Sequence, residues 1–241
     1  MTSSKTTVVE PGFTVPMLGH GYVRYIDHFG SDQRIVETAR ISYKSPSKGE
    51  DQDKRLLHYL YRNRHTSPFE ACNITFNIKM PIFCMRQFVR HRTFRLNEWS
   101  GRYSELAEEF YTPTEWRLQD DKNKQGSILP TARSLTWNEE NTAIAAESFR
   151  QSYAAYQELL ERGVAKEMAR IVLPVSLFTE IYVNVDVHNL MHFLNLRQDG
   201  HAQSEIREIA DGMAEIAEQL FPWTFEARSR YKVHIEDTWE D

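Results

Sequence analysis

HTSPFEACNITFNIKMPIFCMRQFVRHR, residues 65–92, holds a turn, a strand and a helix in immediate succession. His65-Thr66-Ser67-Pro68 reads as the turn, because Ser and Pro punctuate regular structure. Beyond it Ile74, Phe76 and Ile78 alternate with polar residues, the period-2 signature of a half-buried strand. Pro81 suits the first turn of a helix, since its missing N–H has no partner there, and the helix is expected to run to about His91. At about 100° per residue, Phe83, Arg86, Gln87 and Arg90 share one helical face and Cys84, Met85, Phe88 and Val89 the other. Gln87 and Arg90 are thereby expected to point together.

Outward from this stretch the elements alternate irregularly. Residues 21–28, GYVRYIDH, read as a strand, and Asp32 is expected to cap a helix to about Ala39. A polar insert, KSPSKGEDQDK, precedes a helix over about 52–63. Residues 112–133 read as an exposed loop and 134–162 as a long helix stopped by Gly163. AKEMARIVLP reads as a short helix halted before Pro174, and LFTEIYVNV as a strand. Asp186 is expected to cap a helix to about Arg197, and a last helix over 202–220 carries Ile206, Ile209, Met213, Ile216 and Leu220 on one stripe. Without steady βαβ alternation this is an α+β class chain, a single domain with a mixed or antiparallel sheet flanked by long helices. The expected division is a flexible arm at 1–17, a domain at 18–230 and a tail at 231–241.

The whole chain has 241 residues, 41% of them hydrophobic and 26% charged, which excludes a wholly disordered or fibrous protein. Its net charge of -5 argues against a dedicated nucleic-acid binder. The 2 cysteines, Cys72 and Cys84, match neither a disulfide framework nor a zinc spacing. With no secretory h-region and no long apolar run, a cytoplasmic location and no membrane partner are expected.

The densest polar cluster is Arg90-His91-Arg92 with Asn97-Glu98, Ser100 and Arg102-Tyr103. One reading is a solvated helix end and loop. Against it, close arginines repel one another unless an anion lies among them, and guanidinium forks match phosphate oxygens. Arg197 falls in the apolar sector of its helix and Arg170 stands beside Ile171-Val172-Leu173, so both are expected to be partly buried and to seek an anion. His188 and His192, four apart, could bind a metal, but no third ligand follows at familiar spacing. Cys84 on an apolar face reads as inert. Two further readings stay open: RNA binding through the Arg-His-Arg region with Phe94, Trp99 and Tyr103 as stacking platforms, and a metal hydrolase on His188 and His192.

RHRTFRLNEWSGRY, residues 90–103, resembles the signature of the flavin-dependent thymidylate synthases, in which Arg-His-Arg is followed by Ser and an Arg-Tyr pair. HTSPFE, QFVRHR, ARIVLP, HNLMHFLNLR and PWTFEA are similar to further blocks of that family, in family order, over about 20–228. Two departures are Arg95, where the common pattern has Ser, and Ser204, where many members carry Trp. The resemblance implies that family's fold and reductive methylation of dUMP to dTMP, with 5,10-methylenetetrahydrofolate as carbon donor and NADPH as reductant through bound FAD. It implies nucleotide contacts from Gln87, Arg90, Glu98, Ser100, Gly101, Arg102, Arg170 and Arg197, the last also catalytic. FAD contacts fall to His65, Ser67, Arg90, His91, Arg92, Glu98, Asp186, Val187, His188 and His192. It also implies a homotetramer with shared active sites, and no catalytic cysteine. No glycine-rich dinucleotide fingerprint is present, so FAD is expected to be held by arginines and loops.

Overall fold

A computed structural model of the chain describes residues 9–124, 126–130 and 135–231. In chain order the elements are β1 (Thr14–Met17), β2 (Gly21–Phe29), α1 (Asp32–Arg40), α2 (Glu50–Arg62), β3 (Asn73–Pro81), α3 (Ile82–Phe88), β4 (Arg95–Glu98), β5 (Leu118–Gln119), β6 (Ser127–Ile128), α4 (Leu135–Glu161), α5 (Lys166–Ala169), β7 (Phe178–Asp186), α6 (Val187–Arg197), α7 (Ser204–Leu220) and α8 (Pro222–Arg230). Five strands form one antiparallel sheet in the order β1-β2-β3-β7-β4, and β5 and β6 pair separately.

The alternation in β3 decides which face of the sheet is dry. Ile74, Phe76 and Ile78 lie opposite Val185, Val183 and Ile181 of β7, and all six side chains are buried. α7 lays Ile206, Ile209, Met213 and Ile216 on the core, each worth about 1.5–3 kcal/mol relative to exposure. It approaches closely enough that a Cβ on Gly212 would stand 3.0 Å from Val23 Cγ2. The opposite face of the sheet carries polar residues. There Asn77 donates to Glu180 Oε1 at 2.9 Å and to the Ile181 carbonyl at 3.2 Å.

Several expectations need correction. The expected loose arm fails from residue 9 onward: Val9 is buried and β1 pairs with β2, leaving only 1–8 outside the described residues. Of the expected tail, Tyr231 packs against the core and 232–241 lie outside the described residues. Ser31, not Asp32, caps α1 by accepting from the Arg34 N–H. Asp32 is buried instead and caps α8, accepting from the backbone N–H groups of Trp223 at 2.7 Å and Thr224 at 3.1 Å. The sequence showed a capping residue type, but which helix it serves is set 191 residues away. α3 stops at Phe88, and Val89, placed on the apolar face by periodicity, is exposed. The loop expected at 112–133 contains the β5–β6 pair.

Gly30, between β2 and α1, has φ +95°, and a Cβ there would lie 2.3 Å from Cys72 Sγ. Gly30→Ala combines left-handed strain with a core clash, so it is expected to cost about 2–4 kcal/mol. A Tm fall of roughly 4–16 °C in thermal denaturation is the corresponding outcome.

Candidate active site

Asp186 begins α6 in the expected way, accepting from the Asn189 backbone N–H at 2.9 Å and its side-chain amide at 2.7 Å. The Val187 N–H donates to the Cys72 carbonyl at 2.9 Å, and its side chain is fully buried. Both residues thus fasten the start of α6, and neither lines the cavity beside it. That cavity, about 350 Å³, has Leu60, Tyr61, Phe69, Met191 and Leu196 as apolar walls and His65, His188, His192 and Asn195 as polar edges. The spacing of His188 and His192 turns both imidazoles to this side. His65 reaches it from the turn after α2, entered through Arg64 at φ +55°. Ser67 is exposed in the same turn.

At the far end of α6, Arg197 is half-buried and its Nε–H donates to His91 Nε2 at 3.0 Å. The acceptor nitrogen must lack a proton, so His91 is the neutral tautomer carrying hydrogen on Nδ1. Burial, then the Arg197 and His192 charges, push His91 down from an ordinary value of 6.5 to about 4. Its ring packs edge-on to Phe193, with centroids 4.8 Å apart, and stands 6.4 Å from His192. Arg90 and Arg92, on either side, are exposed and have no ion pair among the described residues.

The other expected nucleotide ligands gather at a second place. Glu98 ends β4 and accepts from Thr179 Oγ1 at 2.6 Å. Ser100 Oγ accepts from the Arg102 N–H at 3.3 Å, and Arg102 Nε donates to Glu167 at 3.1 Å. Gly101 packs on Leu106, with a Cβ position 3.0 Å from Leu106 Cδ1, so a larger residue would push this loop outward. α4 holds Leu106 by both backbone groups: its N–H donates to Tyr156 Oη and its carbonyl accepts from Tyr153 Oη, each at 3.1 Å. Arg170 is exposed, a correction to the expected partial burial, because the short helix turn after α5 carries it outward despite its apolar sequence neighbours. Gln87 stands apart from both groups, donating to Gln203 Oε1 at 2.5 Å.

Asn195, one turn on from His192, joins the two imidazoles as the amide donor expected on that helix face, whereas sequence reading missed Tyr61 and Gln203, whose positions depend on packing between elements. Cys84 is fully buried and burial pushes its thiol well up, which accords with the inert reading. His188 and His192 acquire no third metal ligand among the described residues. Phe94, read as a stacking platform, lies in the core against Phe88 and Phe193, which removes one of the three rings from the RNA-binding reading.

Two outcomes are expected from the Arg197–His91 pair. Arg197→Met should raise the His91 pKa from about 4 toward 6.5, as read by imidazole NMR titration, since one of its causes is removed. Between pH 6.5 and 4 the unfolded chain binds this proton and the folded chain does not, so the contribution of His91 to stability is lost on acidification through that window.

Residues 24–223 match the model of the family described as thymidylate synthase complementing protein. The flavin-dependent thymidylate synthase of Treponema denticola is 47% identical over 208 residues, 86% of this chain and 78% of that protein. The one from Thermus thermophilus is 47% identical over 219 residues, covering 91% and 79%. Among solved structures, the UMP/dUMP methylase PolB from Streptomyces cacaoi, bound with 5-Br dUMP, superposes with a TM-score of 0.79 at 32% identity, covering 88% of this chain and 95% of that one. With an antiparallel sheet, an Arg-His-Arg turn aimed at α6 and relatives of this identity over most of its length, the chain belongs to the flavin-dependent thymidylate synthase family.

Proposed function

We propose that this chain methylates deoxyuridine monophosphate at C5 to give thymidine monophosphate, with methylenetetrahydrofolate, NADPH and FAD. Carbon and electrons balance if the folate methylene is transferred to C5, a C5 proton is lost, and two electrons from NADPH reduce the methylene to methyl, leaving tetrahydrofolate and NADP⁺. The observation that carries the reading is Arg197 held by neutral His91 at the end of the same helix that presents His188 and His192 to a cavity.

The donor set fits FAD. A slot with apolar walls and imidazole and amide edges suits a flat heteroaromatic ring, and the unpaired guanidinium groups of Arg90 and Arg92 suit a pyrophosphate. His65, Ser67, His188 and His192 would hold the ring side, His91 and Glu98 would complete the contacts, and Asp186 with Val187 would act by fixing the start of α6. When bound, the flavin supplies two-electron reduction.

Arg197 stabilises negative charge on the uracil ring, which makes C5 more nucleophilic without a cysteine adduct. His91 fixes the direction of that guanidinium by accepting from Nε, leaving the two terminal nitrogens for the substrate. Arg90, Arg102 and Arg170 offer forks for the 5′-phosphate, with Ser100 and the Gly101 backbone as neutral donors and Gln87 and Glu98 as further ligands. No hydrogen bond or ion pair joins the Arg102 loop to the Arg197 end of α6 among the described residues. The same reading, through the family resemblance, gives the two halves to different copies in a homotetramer. Exposed Met168, Ile171 and Val175 around Arg170 supply apolar surface for that contact. Among the described residues no helix is long and apolar enough to cross a membrane, and a cytoplasmic location is part of the same reading.

Purified protein is expected to be yellow and to form thymidylate from deoxyuridylate only with NADPH and methylenetetrahydrofolate; no flavin and no turnover at high FAD would overturn the function. Arg197→Ala should lose at least about 100-fold in turnover with FAD retained. Cys84→Ala should keep turnover at a stability cost of about 1–2 kcal/mol. If active sites are shared, mixing inactive Arg197→Ala with inactive Arg102→Ala should restore part of the activity.

A further inference from the structure

Arg228, in the last turn of α8, is the first residue beyond the PWTFEA block and reaches back to α6. Its Nε–H donates to Asn195 Oδ1 at 2.9 Å and its Nη2 donates to Gln198 Oε1 at 2.7 Å. Residues three apart on a helix are neighbours, about 5–6 Å between Cβ atoms, so the two donors on one edge of the planar guanidinium span the last turn of α6. A lysine, with a single nitrogen, lacks that fork.

An arginine can only donate, which settles how both amides lie. At Gln198 the other end agrees, because its Nε2 donates to Asp211 Oδ1 at 2.7 Å. At Asn195 the oxygen is drawn to α8. The amide nitrogen is left as the group this side chain offers along the cavity it lines with His188 and His192. Tyr61, on the same wall, responds to it: burial pushes the phenol up and the Asn195 side chain acts in the opposite direction. An NH₂ carries two hydrogens, so a contact to Tyr61 leaves one for an occupant of the cavity.

With the cavity read as the flavin site, as proposed above, we infer that Arg228 is a positioning residue for the flavin: by holding the Asn195 oxygen it commits that amide to donate, and the NH₂ meets an acceptor on the pyrimidine end of the ring. The dimethylbenzene end suits the apolar walls, which turns the pyrimidine end to the polar edge where Asn195 stands. That end accepts at N1 and at both carbonyl oxygens and donates only at N3, so a fixed donor matches three of its four polar atoms. Reduction makes those acceptors more electron-rich, and hydrogen bonds to a charged acceptor are roughly twice as strong as neutral ones. The committed NH₂ therefore favours the reduced ring, a control on cofactor electronics exerted from α8.

The test is a double-mutant cycle on the full-length FAD-bound enzyme with Arg228→Met and Asn195→Leu, read as the flavin midpoint potential and the FAD Kd, with Tm as the folding control. Each single variant is expected to lower affinity for reduced relative to oxidised flavin about five- to tenfold, or about 20–30 mV for two electrons. Because Arg228 acts through Asn195, the second substitution should add less than about twofold to the first. Additive losses would report the bare charge of Arg228 and overturn the inference. Gln198→Leu removes the other half of the fork and is expected to lower Tm while leaving the potential in place. A drop there equal to that of Arg228→Met would make the effect one of general anchoring, which also overturns it. If Arg228→Met fails to fold, Arg228→Lys, which keeps the charge without the fork, takes its place in the cycle with the same expectation. Wild-type protein that binds no FAD removes the flavin reading together with the inference; a wild type that binds FAD, with variants that keep its potential, removes the inference alone.

Discussion

The nine-residue antiparallel pairing of β3 with β7, from Asn73 opposite Asp186 to Pro81 opposite Phe178, is the constraint on which the site depends. Because the strands run oppositely, each releases its following helix from a different end of a ribbon about 30 Å long. α3 leaves at Pro81 and α6 leaves at Asp186, and both return over the same apolar face. Their lengths, about 10 Å and 16 Å, make them converge C-terminus to C-terminus. Phe88 meets Phe193 with ring centroids 5.2 Å apart, and one turn beyond, His91 meets Arg197.

This convergence has an electrostatic consequence. Two helix C-termini carry partial negative charge, which favours cations nearby. Arg90, Arg92 and Arg197 all stand at these ends, so the fold offsets part of their mutual repulsion without closing them off in ion pairs. A neutral His91 between them adds no further positive charge, and burial keeps it neutral. The result is a set of guanidinium groups free to bind a polyanion, in a chain whose net charge is -5.

Support for the site comes from outside it. α4 grips Leu106 at both backbone groups and so shapes the Ser100–Arg102 loop. Arg117, Tyr111 and Glu205 tie the segment after Phe110 to the head of α7, next to Gln203 and Gln87. Asp32 ties α1 to the start of α8. In each case a polar group buried away from water is satisfied by a partner far along the chain, which is why each junction holds one geometry.

The sequence by itself determined the strands and helices with clear periodicity, the buried stripe of α7, the cap at Asp186 and, through the blocks around Arg-His-Arg, the family and its chemistry. These are local or contiguous patterns, and spacing of 2 or 3.6 residues reports them directly. Tertiary structure alone decided that residues 14–17 are a sheet edge, that Asp32 serves α8, that Arg170 is exposed and Arg197 held by His91, and that Gln87 donates to Gln203. Each of these rests on a partner distant in sequence or on the direction in which a short turn carries a side chain. A single chain carries no periodic signal of either kind.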